Sequence, residues 1–140
     1  MFGQYSNDWR GRTTMAEFRR RYPTGTVRKP RTCTGHNRVV VHYPDGTTRF
    51  ILHNTAVVTR YPNGRIILAD NGWATMTTRR AMSQGLRELT GHQGVNVFSG
   101  DKKAHALCIV SRAGNGDYIR DVREFDSPFE TAYFCTPKED

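Results

Sequence analysis

From residue 38 the chain alternates, turns, and then does the same again. Val39, Val41 and Tyr43 alternate with Arg38, Val40 and His42, the two-residue period of a strand. Pro44-Asp45-Gly46 follows. Proline presets the first central dihedral of a turn, aspartate suits the second, and glycine takes the left-handed third position, so a type I turn with a glycine bulge is expected. Residues 47–53 then return antiparallel. His36-Asn37 leads into this hairpin, and His53-Asn54 leads into a second one, with residues 55–61 running out, Pro62-Asn63-Gly64 as the turn, and residues 65–69 returning. The doubling therefore predicts two tandem hairpins, a four-stranded meander with Gly46 and Gly64 at positive φ.

Two stretches change to a helical period. Met15, Phe18 and Tyr22 share one stripe while Arg19, Arg20 and Arg21 turn mostly outward. Thr13 or Thr14 precedes as a cap, Thr14 and Glu17 stand at capping-box spacing, and Pro23 ends the helix. Further on, Asn71-Gly72 breaks the last strand of the meander, and a threonine at 75, 77 or 78 caps a helix running to about Leu89 and closed by Thr90-Gly91. Met82, Leu86 and Leu89 form its apolar stripe. Gly85 inside it costs about 1 kcal/mol relative to alanine. Trp73 reads as an anchor buried between sheet and helix, whose truncation to alanine would cost roughly 3–5 kcal/mol. Strands are expected again at 94–99, 104–111 and 117–124, with Ala113-Gly114-Asn115-Gly116 as a third hairpin turn. The aromatic stretch 125–134 is expected to dock on the sheet, ahead of a frayed tail.

The pattern gives an α+β fold: an antiparallel β-meander of tandem hairpins with one main packed helix and a short basic N-terminal helix. Residues 1–30 read as a basic arm and short helix, and residues 31–140 as a single α+β domain. The chain has 140 residues, 36% of them hydrophobic, enough for one core without metals or disulfides. No apolar run approaches the roughly 18 residues of a transmembrane helix, and the N-terminus lacks the apolar core of a secretion signal. No membrane association and a cytoplasmic location are expected. Cys33, Cys108 and Cys135 contain no CxxC pair and imply no disulfide framework.

Charge sharpens this. The net charge is +8, and residues 1–31 hold eight basic residues against Asp8 and Glu17, leaving +2 for the remainder. Arg10, Arg12, Arg19, Arg20, Arg21, Arg28 and Lys29 form a candidate cationic band for phosphates or an acidic protein surface. A second candidate anion site lies at the start of the main helix, where free amides, the hydroxyls of Thr77 and Thr78, and Arg79 and Arg80 fall within one turn. Tyr43, Phe50, Tyr61 and Trp73 lie on or beside the sheet, where exposed rings stack bases, although packing between sheet and helix is the commoner use. No RNP-type consensus occurs.

Catalytic and metal chemistry find little support. His36 and His53 begin matching strands, but zinc sites want three or four ligands at clear spacing. Only Cys33-Thr34-Gly35-His36 offers a close pair, with partners to be sought among His42, His53, Cys108 and Cys135. No HExxH, paired-carboxylate, nucleophile-elbow or Walker signature is present. No cofactor, no metal and no catalytic residue is expected.

Residues 53–86 resemble a set of small phage-encoded proteins of unknown function. The shared pattern is His-x-Thr with a short valine-rich strand, then Gly-x-Ile-x-Leu, then Gly-Trp-x-Thr-x-Thr-Thr and a basic helix. Here these are His53-Asn54-Thr55 with Val57-Val58, then Gly64 through Ile66 to Leu68, then Gly72-Trp73-Ala74-Thr75-Met76-Thr77-Thr78 followed by Arg79-Arg80. The chain departs from the pattern at Asn71, in place of a second glycine, and at Ala81 and Ser83, in place of an arginine and an asparagine. The resemblance covers about a quarter of the chain and implies a phage product acting in the host cytoplasm, with no known activity attached. The expectation is a non-enzymatic binding protein engaging nucleic acid or a nucleic-acid-handling host assembly, in host takeover or counter-defence. The alternatives are an inhibitor docking on an acidic host protein surface, a protein sequestering a phosphorylated small ligand, and a divergent phosphate-handling enzyme using His36, His53 and nearby acids.

Overall fold

The computed structural model describes residues 14–33 and 37–135. Helix α1 (Met15–Arg21) starts at Thr14, where both halves of the capping box form: the Glu17 amide donates to the Thr14 hydroxyl at 3.1 Å and the Thr14 amide donates to the Glu17 carboxylate at 2.9 Å. Thr13, the other candidate cap, lies outside the described residues. Phe18 is buried, with Met15 and Tyr22 packed beside it, as the stripe predicts.

The doubled stretch folds as its turns require. Strands β1 (Thr26–Arg28), β2 (Arg38–His42), β3 (Thr48–Leu52), β4 (Thr55–Arg60) and β5 (Ile66–Leu68) are antiparallel neighbours in sequence order. Gly46 has φ 96° and Gly64 φ 90°. The Asp45 and Asn63 side chains accept from the amides of Thr47 and Arg65, two residues on, at 2.8 and 3.0 Å. The two turns sit side by side, a Cβ built on Gly46 falling 3.2 Å from Pro62 Cγ. Gly46→Val and Gly64→Val should each cost roughly 1–3 kcal/mol, because a β-branched side chain is strongly disfavoured at positive φ. Unchanged urea midpoints for both variants would contradict the turn assignment.

The sheet is larger than the four predicted strands. β1 extends it on one side, and β9 (Phe129–Thr131) pairs with β5 on the other, giving the order β1-β2-β3-β4-β5-β9. The aromatic segment thus docks as an edge strand, joined to β5 by an Arg65–Glu130 ion pair. Strands β6 (Val95–Ser99), β7 (His105–Arg112) and β8 (Tyr118–Phe125) form a second antiparallel sheet, with Gly116 at φ 95° in the third hairpin turn.

Helix α2 (Met76–Thr90) packs against β3, β4 and β6. It is capped by Thr75, whose hydroxyl accepts from the Thr78 amide, and closed by Gly91 at φ 76°. The main core lies between the six-stranded sheet, α2 and the three-stranded sheet, and includes Val40, Phe50, Val58, Met82, Leu86, Val97 and Leu107. A second cluster on the opposite face of the large sheet joins Phe18 of α1 to Val39, Val41 and Ile51. β2 is therefore covered on both faces. That is why Val39, Val40 and Val41 are all buried, although their alternation predicts one wet face.

Gly85, unfavourable for the helix alone, is explained by this packing. A Cβ there would lie 2.8 Å from Phe50 Cγ and 2.8 Å from Val58 Cγ2. The helix approaches the sheet too closely for any side chain at that position.

Candidate functional site

Trp73 is exposed, at 63% of its surface, which overturns the expectation of a buried anchor. Asn71 (φ 51°) and Gly72 (φ 87°) are consecutive left-handed residues that redirect the chain just before Trp73.

The exposed indole stands at a pocket of about 530 Å³. Leu52 and Val57 supply its apolar lining, and His53, Asn54, Thr55, Asn71, Thr75, Thr77 and Thr78 its polar one. Residues that lie far apart in sequence, His53 and Thr55 at the β3–β4 turn and Trp73, Thr75, Thr77 and Thr78 around the start of α2, thus line one concavity. His53 itself has φ 57° and Asn71 φ 51°. Non-glycine residues held in this region concentrate at functional sites.

Helix α2 brings a positive end to this pocket. Its cap satisfies the Thr78 amide, the amides of the first two helical residues have no intrahelical acceptor, and no acidic residue stands in its first turn. Arg21, at the end of α1, donates to the His53 carbonyl at 3.3 Å. Partial desolvation of the His53 ring, together with the positive charges of Arg38 and Arg21, holds its pKa below the usual histidine value. The ring is thus neutral at neutral pH, a donor and acceptor rather than a cation.

The loop carrying Trp73 is held from beneath by a pair not anticipated from the sequence. Asp70 and His105 are both buried, with His105 Nε2 and Asp70 Oδ2 2.7 Å apart. The other Asp70 oxygen accepts from the Gly72 amide at 2.8 Å, the Asp70 carbonyl accepts from the Trp73 amide at 2.8 Å, and the Asp70 amide donates to the Ser127 hydroxyl at 2.9 Å. Burial pushes the Asp70 carboxyl up, but the bonds from His105 and Gly72, the charge of His105 and the Ser127 hydroxyl outweigh it, leaving the pKa lowered. The order Ser127–Asp70–His105 places the acid between hydroxyl and imidazole, so His105 is not positioned to activate Ser127 as it would be in a nucleophilic triad.

The predicted binding residues separate into groups. Thr77 lines the Trp73 pocket, and Thr78, buried, also bonds Thr75. Arg79 points elsewhere, donating to the Ala104 carbonyl at 3.3 Å, and Arg80 lies against Met76 sulfur at 3.6 Å. Both line a second cleft with Arg87, Asn96 and Phe98. Ser83 accepts from the Val97 amide at 2.8 Å and so ties α2 to β6. Arg19 and Arg20 are exposed on α1, as is Lys29 beyond β1. Arg28 is drawn into an ion pair with Glu88 at 2.7 Å and also donates to His42 Nε2 at 3.0 Å. Arg10, Arg12, Trp9 and His36 lie outside the described residues. Of the other aromatics, Phe50 is fully buried while Tyr43 and Tyr61 are half-buried.

Among the described residues no group of three or more His, Cys, Asp or Glu side chains is arranged to hold a metal ion, and no helix is long and apolar enough to cross a membrane. Comparisons with protein-family models, curated proteins and solved structures return no match. One signal for the missed pair was present: Asp70-Asn71-Gly72 has the spacing of an aspartate that caps its own turn. Nothing local marks His105 as its partner, 35 residues away.

Proposed function

We propose that the protein is a small, non-enzymatic, phage-encoded binding protein that engages single-stranded nucleic acid, with a base stacked on Trp73 and a phosphate at the start of α2. The observation carrying this reading is the exposed Trp73 beside a helix N-terminus with no acidic residue in its first turn. Every base has a π-face for the indole, and the free amides with the Thr77 hydroxyl offer donors to a phosphate. The exposed Arg19 and Arg20, with Arg21 reaching the β3–β4 turn, extend positive charge along the path of a strand. Binding of this kind suits a product acting in the host cytoplasm on nucleic acid or on an assembly that handles it, as in host takeover or counter-defence.

A fluorescence-anisotropy titration with a labelled single-stranded oligonucleotide tests it. Trp73→Ala should weaken binding roughly 5- to 150-fold, the equivalent of 1–3 kcal/mol of stacking, while changing stability by no more than about 0.5 kcal/mol. Neutralising Arg19, Arg20 and Arg21 together should flatten the plot of log K against log salt by about two to three units. No binding at low salt, or a Trp73→Ala variant that binds like the parent, would sink the reading.

The pocket's concavity favours one alternative, sequestration of a phosphorylated small ligand, since sites for such ligands span about 300–1,000 Å³. A free mononucleotide binding as tightly as the oligonucleotide, with little salt dependence, is the result that would put this reading first.

A further inference from the structure

We propose that strand β8 pairs antiparallel with β8 of a second copy of the chain, centred on Val122, to form a two-fold dimer. Among the described residues β8 is bonded along one edge only, to β7, and is the outermost strand of the three-stranded sheet. Its eight residues pair with β7 without a register break. Edge strands are normally protected by brevity, a bulge, proline or charged side chains. β8 has neither brevity, bulge nor proline, and its four charges balance in sign, so they oppose a chance partner but can pair with a second copy of the same strand. It leaves Tyr118 at 71%, Ile119 at 52% and Val122 at 52% of their surfaces exposed.

The charges choose the occupant and the register. Around Val122 the strand reads Arg120-Asp121-Val122-Arg123-Glu124. Antiparallel alignment on Val122 sets Asp121 opposite Arg123 of the second copy and Arg120 opposite its Glu124, each pair occurring twice by symmetry. Sliding the centre to Asp121 places that carboxylate opposite itself. Centring between Asp121 and Val122 sets Arg120 against Arg123. The Val122 register alone pairs every charge with its opposite and brings two exposed valines together. Asp121 and Arg123 lie on one face, with Arg123 Nε 4.0 Å from Asp121 Oδ2 and both side chains largely exposed. Across the two-fold axis this pair becomes an alternating cluster of four charges.

Sedimentation velocity over a concentration series tests the proposal on the full chain. The parent should dimerise reversibly. Arg123→Asp and Asp121→Arg should each weaken the dimer roughly tenfold or more, since each replaces two attractive cross-strand pairs by repulsive ones, and circular dichroism should report an intact fold because neither side chain is in the core. Two restorations follow from the register. The double variant Asp121→Arg with Arg123→Asp should dimerise again, and an equimolar mixture of the two single variants should form a heterodimer. A parent that stays monomeric, an Arg123→Asp variant that dimerises like the parent, or a failure of both restorations would overturn the proposal.

Discussion

Glu88→Ala is expected to destabilise the fold by about 3 kcal/mol, because one carboxylate joins α2 to the segment that follows β1. The Glu88 side chain is 2% exposed, and it accepts from Arg28 at 2.7 Å, from the amides of Arg31 and Thr32 at 2.9 Å each, and from the Thr32 hydroxyl at 2.7 Å. Alanine leaves all four donors without that acceptor, and hydrogen bonds to charged groups are worth roughly twice neutral ones. Water can reach part of the loop, which keeps the loss below the sum of the bonds. Burial pushes the Glu88 carboxyl up, but Thr32, Arg28 and the two amides more than offset it, so the folded pKa is lowered. A carboxylate with a depressed folded pKa contributes its stability fully above the unfolded value, about 4.3 for glutamate, and loses it as pH falls through the folded value. Urea melts at pH 7 and pH 3 should therefore show a smaller acid-induced loss for Glu88→Ala than for the parent. Equal losses would mean that Glu88 is not a major acid-labile tie.

The parts of the fold that were legible in the sequence are those whose cause is local. Pro-x-Gly turns, the Thr14–Glu17 capping box, the Thr75 cap and the Gly91 closure each depend on a few adjacent residues, and each forms as the spacing requires. What the pattern could not show depends on contacts across the chain. Val40 needs α2 on one face of β2, while Val39 and Val41 need α1 on the other, and alternation in one strand cannot report two covers. β9 joins the meander at the β5 edge, a pairing between residues more than 60 apart in sequence.

The site divides in the same way. The threonines at the start of α2 were readable as helix-cap candidates, and Thr75 is the cap. That they share a pocket with His53 depends on where the β3–β4 turn lands. Arg28 read as part of a free cationic band, whereas the structure engages it with Glu88, which is the one acidic residue of a basic helix. Trp73 was misjudged for a physical reason. Large aromatics are usually buried, but consecutive left-handed residues at Asn71 and Gly72 turn the chain so that the indole stands outside the core.

Asp70→Ala is expected to be the more damaging change, at roughly 3–5 kcal/mol, and to impair the pocket before it unfolds the protein. His105 is fully buried and its Nε2 has Asp70 as partner, while the other ring nitrogen lies 3.5 Å from an Arg79 nitrogen. Removing the carboxylate strands that imidazole and also frees the Gly72 amide, the bond that shapes the turn before Trp73. The indole should then gain mobility in the folded state, visible as lower tryptophan anisotropy in a Trp9→Phe background, and oligonucleotide affinity should fall even well below the melting temperature. Because the Asp70 pKa is lowered in the fold, its contribution too is complete above the unfolded aspartate value near 3.9 and fades as pH drops through the folded one. The pair can be separated from a general packing loss by a double-variant cycle. Replacing both partners with apolar groups leaves no polar atom stranded, so Asp70→Ala combined with His105→Leu should be less destabilised than the two single losses added together. Simple additivity would show that the two residues act independently, and the Trp73 loop would then have to be held by its backbone bonds and the Ser127 contact alone.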